Sequence, residues 1–417
     1  MSLQLLTGGT NNIDHVHNLA ATMTGGVGNS WTTYAESNYR DVLGCKAAVI
    51  AEATTNIPAA ADQIFTPWAS ITWTALNSAT LAASTDGEYG SSSMEITCAG
   101  TATGGAQLVC AATAASAYAA SCRVKANNAA AIGKVLTISN DGTTDTVTLT
   151  AGWQTLAKVD TSASGTSINV QITFAAGVSG DKVLVSAFQY EKKSYITPFA
   201  AVSRTASTMT FPTGATGLNL VAGQNLSIVV ACRSVWAGND GVNHTLVDSR
   251  GSGGAQNRVR LFKSSGNVLY LDTWDNASAE KSSQVTVTAT NWAADTTHII
   301  IVTRSAAGVQ DGYLDEVVFT GLNQGAGTGL EALWATTLYI GENATGGQVT
   351  NAPLLVAIFD HVISAQERAA IFQMNGTGGW NGWLSPKLIG NIARLGGNII
   401  TNIETPLRGI DELHRIA

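Results

Sequence analysis

The chain has 417 residues, of which 45% are hydrophobic but only 12% charged and 7% aromatic. That charge is roughly half the ~25% of an average soluble domain. With 43 Gly, it describes short strands, small side chains and uncharged polar loops. The length suits two or three domains at roughly 150 residues each. A formal net charge of −7, with no basic run, lacks the Lys/Arg footprint of a nucleic-acid binder. No stretch of about 18 apolar residues is present to span a bilayer. Met1–Gly9 has neither a basic n-region nor a long apolar h-region, so either a signal has been removed or a route other than export is expected.

In chain order, residues 1–60 read as an N-terminal arm for attachment. Asn12–Thr22 fits a short helix before the Gly25-Gly26-Val27-Gly28 break, and Gly44–Ala53 fits a strand or a helix. His15 and His17 would point to different sides of such a helix, so no metal site is expected there. Residues 61–204 carry short β-type runs separated by Gly, Ser, Asn and Asp clusters. They include Ala106–Cys110, Tyr118–Ala126, Lys134–Ser139, Thr144–Thr150, Ser167–Phe174 and Lys182–Tyr190. Asn140-Asp141-Gly142 between two of them is a hairpin signal. Closely spaced strands without long amphipathic helices predict an antiparallel sandwich.

Residues 205–376 repeat the pattern. Leu226–Arg233 and His298–Thr303 are near-continuous apolar strands, and Arg258–Phe262 with Asn267–Asp272 reads as a hairpin closed at Ser264-Ser265-Gly266. A helix is predicted over Ser364–Met374, with Ser364 and Glu367 as a capping box and Asn375-Gly376 as the stop. In residues 377–417, Leu384, Leu388, Ile392, Leu395, Ile399 and Ile403 recur at spacings of four or three. This amphipathic tail, interrupted at Gly396-Gly397, has to cover its stripe by self-association, by docking on a larger assembly or by packing back onto its own sandwich. The expected architecture is therefore all-β: two tandem antiparallel β-sandwiches with an N-terminal arm and a short helical C-terminal tail.

Cys45, Cys98, Cys110, Cys122 and Cys232 lie among apolar or small residues without a Cys-x-x-Cys pair, which predicts buried small hydrophobes. No Ser/His/Asp arrangement stands out, and the Gly-rich stretches lack the Gly-Lys-Ser/Thr ending of a phosphate loop. Asp272 with Asp275, and Asp315 with Glu316, read as loop and edge-strand solubilisers. Sugar binding is the ligand chemistry that the residues allow, because a flat ring beside amides and carboxylates suits a pyranose. Trp68, Trp73, Trp236 and Trp274 are the candidate platforms, with Asp275 and Asn276 beside Trp274. Trp153, Trp292 and Tyr339 are expected in cores.

The run Val183–Thr197 followed by Pro198 resembles the closing strand of a carbohydrate-binding-module jelly roll of bacteriophage tail and capsid proteins. Tyr118–Ala126 and Gly152-Trp153-Gln154 follow the same module's strand order, and the resemblance covers roughly Ile64 to Arg204. The second block resembles the concanavalin A-like, laminin-G-type sandwich. It does so through Leu226–Arg233, Thr245–Asp248, Asn291–Arg304, Asp311–Val317 and Leu338–Asn343. Ala357–Phe372 completes the set, with Phe359, Asp360, Ser364 and Glu367 at matching positions. Asp315-Glu316 departs from the usual Asp-Gly turn and implies a longer or different hairpin. The Glu-x-Asp-x-x-Glu strand of the family's hydrolases is not found, so no glycoside cleavage is expected.

The resemblance implies a non-enzymatic bacteriophage virion protein, a tail fibre, head fibre or capsid decoration. Its lectin-like domains would hold host or environmental glycans from the virion surface, after assembly in the host cytoplasm. It implies a homotrimer, joined through Leu388, Ile392, Leu395, Ile399 and Ile403, and contacts with other virion proteins. No nucleic-acid partner, membrane insertion or cofactor is expected. Ca²⁺ is the exception, since this fold family often binds it and Asn239, Asp240, Asn243 and Asp248 offer hard oxygens. Two alternatives stand: a capsid-stabilising protein without sugar binding, and a binding module of an exported polysaccharide-degrading enzyme or adhesin.

Overall fold

A computed structural model describes residues 3–6, 13–14, 19–20, 22–26, 39–42, 45–50, 52–88, 91–100, 103–162, 165–212, 225–249, 258–275, 277–327, 337–343, 349–359 and 361–373. The described residues form two antiparallel β-sandwiches. The first pairs a five-stranded sheet I (Gln154–Thr161, Ala117–Ala126, Lys182–Glu191, Ser93–Thr97, Thr80–Ser84, in spatial order) with a five-stranded sheet II (Thr143–Thr148, Val135–Asn140, Ser167–Phe174, Gly105–Ala111, Thr74–Leu76). Alternate residues of both sheets, among them Ile96, Leu108, Val124, Ile138, Val170 and Phe188, meet in one buried core. Asp141 (φ 49) and Gly142 (φ 86) make the two-residue turn between Asn140 and Thr143, the left-handed pair that a hairpin of this twist requires.

The second sandwich pairs an eight-stranded sheet III with a nine-stranded sheet IV. Sheet III runs Val317–Val318, Gln310–Leu314, Thr297–Arg304, Leu226–Arg233, Ala352–Phe359, Cys45–Ile50, Tyr39–Val42, with Leu3–Leu6 also paired to Ala352–Phe359. Sheet IV runs Gly321–Gln324, Glu280–Thr286, Val268–Trp274, Val259–Lys263, His244–Asp248, Thr337–Ile340, Ser203–Pro212, Thr22–Gly26, with Thr54–Thr55 on Ser203–Pro212. Leu226–Arg233 and Thr297–Arg304 are buried on both faces, which is why they read as continuous apolar runs rather than alternating ones. Helix Ala365–Gln373 follows the last strand of sheet III; its Arg368 guanidinium stacks over Tyr313 at 3.9 Å. Its capping box forms as the sequence predicts. Ser364 Oγ accepts from Glu367 N at 3.3 Å, and Ser364 N donates to Glu367 Oε2 at 2.8 Å.

Three expectations change. Residues 12–22, expected as a helix, supply the strands Ile13–Asp14 and Leu19–Ala20. Segment 1–60, expected as an arm, contributes strands to both sheets of the second sandwich, so the first sandwich is inserted between parts of the second. The tandem order in sequence hides this because strand pairing between residues 3–50 and residues 203–359 leaves no local signal. Asp315-Glu316 makes a tight two-residue turn between Leu314 and Val317, not a longer loop. Both residues are left-handed (φ 47 and 72), and the Asp315 carboxylate holds the turn by accepting from Ile299 N at 2.7 Å and meeting His298 Nδ1 at 2.5 Å. The oligomerisation residues Leu388, Ile392, Leu395, Ile399 and Ile403 lie outside the described residues.

Polar side chains tie the two sandwiches together. Asp295 of the second accepts from Arg123 Nη1 and from Thr155 N of the first, each at 2.6 Å, and Arg123 also pairs with Glu88. Gln189 and Glu191, the Gln-x-Glu segment of the closing strand, both bind Thr197. The Glu191 carboxylate also accepts from Thr54, and Arg204 donates to Thr197 Oγ1. Cys98, Cys110, Cys122 and Cys232 are buried, and burial pushes the Cys122 thiol up to about 12.

Gly312 sits where a Cβ would lie 2.3 Å from the Phe319 ring, a core side chain. Gly312→Ala is therefore expected to cost about 1–3 kcal/mol by overpacking, read as a lower urea midpoint. An unchanged midpoint would mean that this strand is not packed as described.

Candidate functional site

Strands alternate, so each residue of sheet IV either joins the core or faces outward. Val247, Leu261 and Leu271 go inward, which sends Asp248, Arg260 and Asp272 to the outer face. The registers align Tyr339, Asp248, Arg260, Asp272, Ser282 and Gln324 in one row across six strands. Phe262, Tyr270 and Gln284 form a neighbouring row, and Trp274 stands opposite Glu280 on the other side.

The row is a chain of charge-assisted bonds. Arg258 forks onto Asp248 at 2.6 and 2.7 Å, and its guanidinium lies 5.0 Å from the Trp274 ring centre. Arg260 donates to Asp272 Oδ2 at 3.1 Å and covers Phe262 at 3.5 Å. Ser282 Oγ lies 2.6 Å from Asp272 Oδ1 and 2.8 Å from Glu280 Oε1, so one hydroxyl joins the two carboxylates. Phe262 and Tyr270 stack at 5.2 Å. Burial, aided by Glu280, pushes the Asp272 carboxyl up to about 6 against the pull of Ser282 and Arg260. Glu280 is exposed, and Tyr270 and Gln284 are half-buried, so these three form the open part. The face thus offers donors, acceptors and ring edges side by side, a set that matches a hydroxyl-dense ligand.

The tryptophans chosen from sequence sit elsewhere. Trp236 is 4% exposed, with His244 stacked at 4.0 Å on one side, Trp292 at 5.0 Å, and Nε1 donating to Thr350 O. Both faces of its ring are thus occupied, and it serves the core. Trp73 is buried against Phe188 and donates to Asp62 O, while Trp68 is half-buried beside the first core. Trp274 does belong to the site, but as a buried base for Arg258 and Arg260 rather than an open platform. Asp275 is buried and caps its own turn by accepting from Ala277 N and Ala279 N, and Asn276 lies outside the described residues. Trp292 is in the core as expected, whereas Trp153 and Tyr339 are half-buried.

Asp272 and Asp315 are corrections as well. Asp272 is 2% exposed in the polar row and Asp315 anchors a turn, so neither is a solubiliser. Of the proposed calcium ligands, Asp248 is held by Arg258, and Asp240 by His244 and Lys263. Burial opposes ionisation of Asp240, yet these two partners hold its carboxyl below the usual range. Asn243 accepts from Ser265 N and Asn239 is exposed, so the four do not converge. Among the described residues no cluster of three His, Cys, Asp or Glu side chains is placed to hold a metal ion.

Sequence reasoning missed the row, although its signal was present. Arg258-x-Arg260-x-Phe262, Tyr270-x-Asp272-x-Trp274 and Glu280-x-Ser282-x-Gln284 are three consecutive strands with period-two polar faces. A raised carboxyl destabilises the fold only when it must ionise. The native state binds its proton more tightly than the unfolded chain, so stability is highest below about pH 4 for this group and is lost as pH rises through about 6. Glu342, pushed up to about 7 by burial, acts with the same sign over a window reaching pH 7. Asp272→Asn and Glu342→Gln are each expected to flatten part of this fall, by on the order of 1–3 kcal/mol, in urea midpoints taken between pH 4 and 8. Unaltered pH profiles would contradict the burial of these carboxyls.

No protein-family description matches the chain, and no curated protein does. Among solved structures the chain is similar to the botulinum neurotoxin serotype D binding domain, at 12% identity over 40% of this chain and 42% of that one, TM-score 0.29. It is similar to the receptor binding domain of the C/D mosaic serotype, at 15% identity over 40% and 42%, TM-score 0.28. The serotype D ligand binding domain in complex with N-acetylneuraminic acid matches at 13% identity over 40% and 39%, TM-score 0.30. The chain spans about two-fifths of the length of these proteins. At such scores the likeness carries no argument about fold or ligand.

Proposed function

We propose that this protein is a non-enzymatic glycan-binding component of a bacteriophage particle, presenting the outer face of sheet IV to surface polysaccharide. The observation that carries the binding role is the row Asp248–Arg260–Asp272–Ser282, with aromatic neighbours and the open groups Glu280, Tyr270 and Gln284 beside it. The virion setting rests on the sequence resemblance of both sandwiches. The tail 377–417 would join copies into a homotrimer at the virion surface. A second reading, cleavage, is favoured by one observation: the Asp272 and Glu280 carboxylates share the Ser282 hydroxyl, and burial pushes the Asp272 carboxyl up to about 6.

One assay separates these readings. Full-length protein is mixed with polysaccharide from a bacterial envelope, and both retention and release of reducing ends are read. Retention without cleavage is expected, with Glu280→Ala and Tyr270→Ala each lowering retention about tenfold, the scale of one charge-assisted bond. Released reducing ends would favour the second reading, and no retention would remove the glycan role. For the assembly, light scattering is expected to give a trimer that falls to a monomer when Ile392, Leu395 and Ile399 are made Asn. A wild-type monomer would contradict it.

A further inference from the structure

A second cluster of charge lies on the core side of sheet IV, away from the polar row. Pairing sets Lys263 directly opposite His244, the first residue of strand His244–Asp248. Asp240 sits four residues before that histidine, in a turn where its backbone N donates to Ala237 O at 3.1 Å and Gly241 is left-handed (φ 73). Its carboxylate reaches both side chains. Lys263 Nζ contacts Oδ1, and His244 Nε2 lies 2.7 Å from Oδ2. Lys263 and His244 are fully buried. The Trp236 indole walls the cluster, 4.0 Å from the His244 ring and 5.9 Å from Nζ. Desolvation opposes a salt bridge in such a place, and an apolar pair would hold the fold as well.

The hydrogen-bond directions point beyond a salt bridge. Val349 O, 3.2 Å from His244 Nδ1, can only accept, so Nδ1 carries a hydrogen. In the neutral ring Nε2 is then an acceptor, and it faces Oδ2, which satisfies it only by carrying a proton itself. One proton moved within the pair, from Lys263 to Asp240, meets that need and leaves an amine beside a carboxylic acid. Burial opposes ionisation of Asp240, and the pull of His244 and Lys263 that offsets it weakens once Lys263 has given up its proton.

We propose that Lys263 and Asp240 condense into an intramolecular isopeptide bond, a covalent link between the loop 235–243 and strand Val259–Lys263. The Lys263 Nζ lone pair attacks Asp240 Cγ and forms the C–N bond. Negative charge gathers on Oδ1, where Val242 N already donates at 3.1 Å. The nitrogen sheds one hydrogen, which His244 Nε2 is placed to hand to Oδ2. The Cγ–Oδ2 bond then breaks, and Oδ2 leaves as water past Asp240, the half-buried member of the cluster. An amine and a carboxylic acid thus become an amide and one water, with nothing oxidised or reduced. The product fits the same site. Its N–H keeps Val242 O, which Nζ meets at 3.0 Å, as acceptor, and its carbonyl oxygen keeps Val242 N as donor. Both buried charges are removed. Contact between the groups supplies the rate, since well-oriented pairs react as if at on the order of 10⁵ M. The bond needs no ligand and does not depend on the function proposed above.

Mass spectrometry of the full chain, denatured and digested with trypsin, tests this. Cleavage after Arg233, Arg250, Arg260 and Lys281 bounds two fragments, 234–250 with Asp240 and 261–281 with Lys263. Trypsin is expected to spare Lys263, whose side chain no longer carries charge, and to release the two fragments joined and one water lighter than their sum. Asp240→Ala and Lys263→Met are each expected to give the fragments separately. His244→Phe keeps a ring against Trp236 without a nitrogen. It is expected to lower the joined fraction roughly a hundredfold, the low end of what a positioned proton carrier contributes. Separate fragments with cleavage after Lys263 in the unaltered chain would overturn the proposal, and that result needs no variant to fold. So would loss of water within 234–250 alone, the mark of a succinimide at Asp240-Gly241. Full joining in His244→Phe would overturn the proton transfer given to that ring.

Discussion

Everything at the candidate site depends on one register, the pairing of Arg260 with Asp272 across the hairpin Val259–Lys263 and Val268–Trp274. In that register Leu261 and Leu271 meet inside the second core, and the charged pair is left on the outer face. A slip of one residue would exchange the two sets, placing Arg and Asp among Val230, Ile300 and Val356. The cost of burying those charges without their partners fixes the register more firmly than the turn does. Once it is set, Asp248 and Ser282 have no other side to occupy, and the polar row is complete.

Supporting the row is a set of buried charges that are matched by partners. Lys263, fully buried on the same strand as Arg260, reaches Asp240 and Val242 O on the core side. His244 binds the same Asp240 and stacks on Trp236, which stacks on Trp292, which stacks on His298. This column of four rings ends at Asp315, the residue that holds the tight turn of sheet III. The column therefore links the loop before His244 to both sheets, and it uses the very tryptophan that a loop position had suggested for sugar. At the junction of the sandwiches, Glu191 and Asp295 do the same work with hydrogen bonds instead of rings.

Much of the local structure was legible because it is written in nearest-neighbour chemistry. Asp141-Gly142 closes its hairpin, Ser264–Gly266 closes another, and Ser364 with Glu367 caps the helix, each within a few residues. What escaped was long-range. The pairing of Leu3–Leu6 with Ala352–Phe359 joins the two ends of the described chain, and no local pattern announces it. Trp236 looked exposed because its neighbours Ala237 to Gly241 are polar or small, yet the ring turns inward beneath them. Asp272 looked like a surface charge because composition cannot tell an outward row that is covered from one that is open.

The central claim is that ligand meets the protein along the outer face of sheet IV. Hydrogen–deuterium exchange, with and without the retained envelope polysaccharide, tests it most directly. The account predicts slowed exchange in Val259–Lys263, Val268–Trp274 and Glu280–Thr286, with the loop 235–243 unchanged. Slowing confined to that loop, or no slowing in any of the three strands while the polysaccharide is bound, would contradict it.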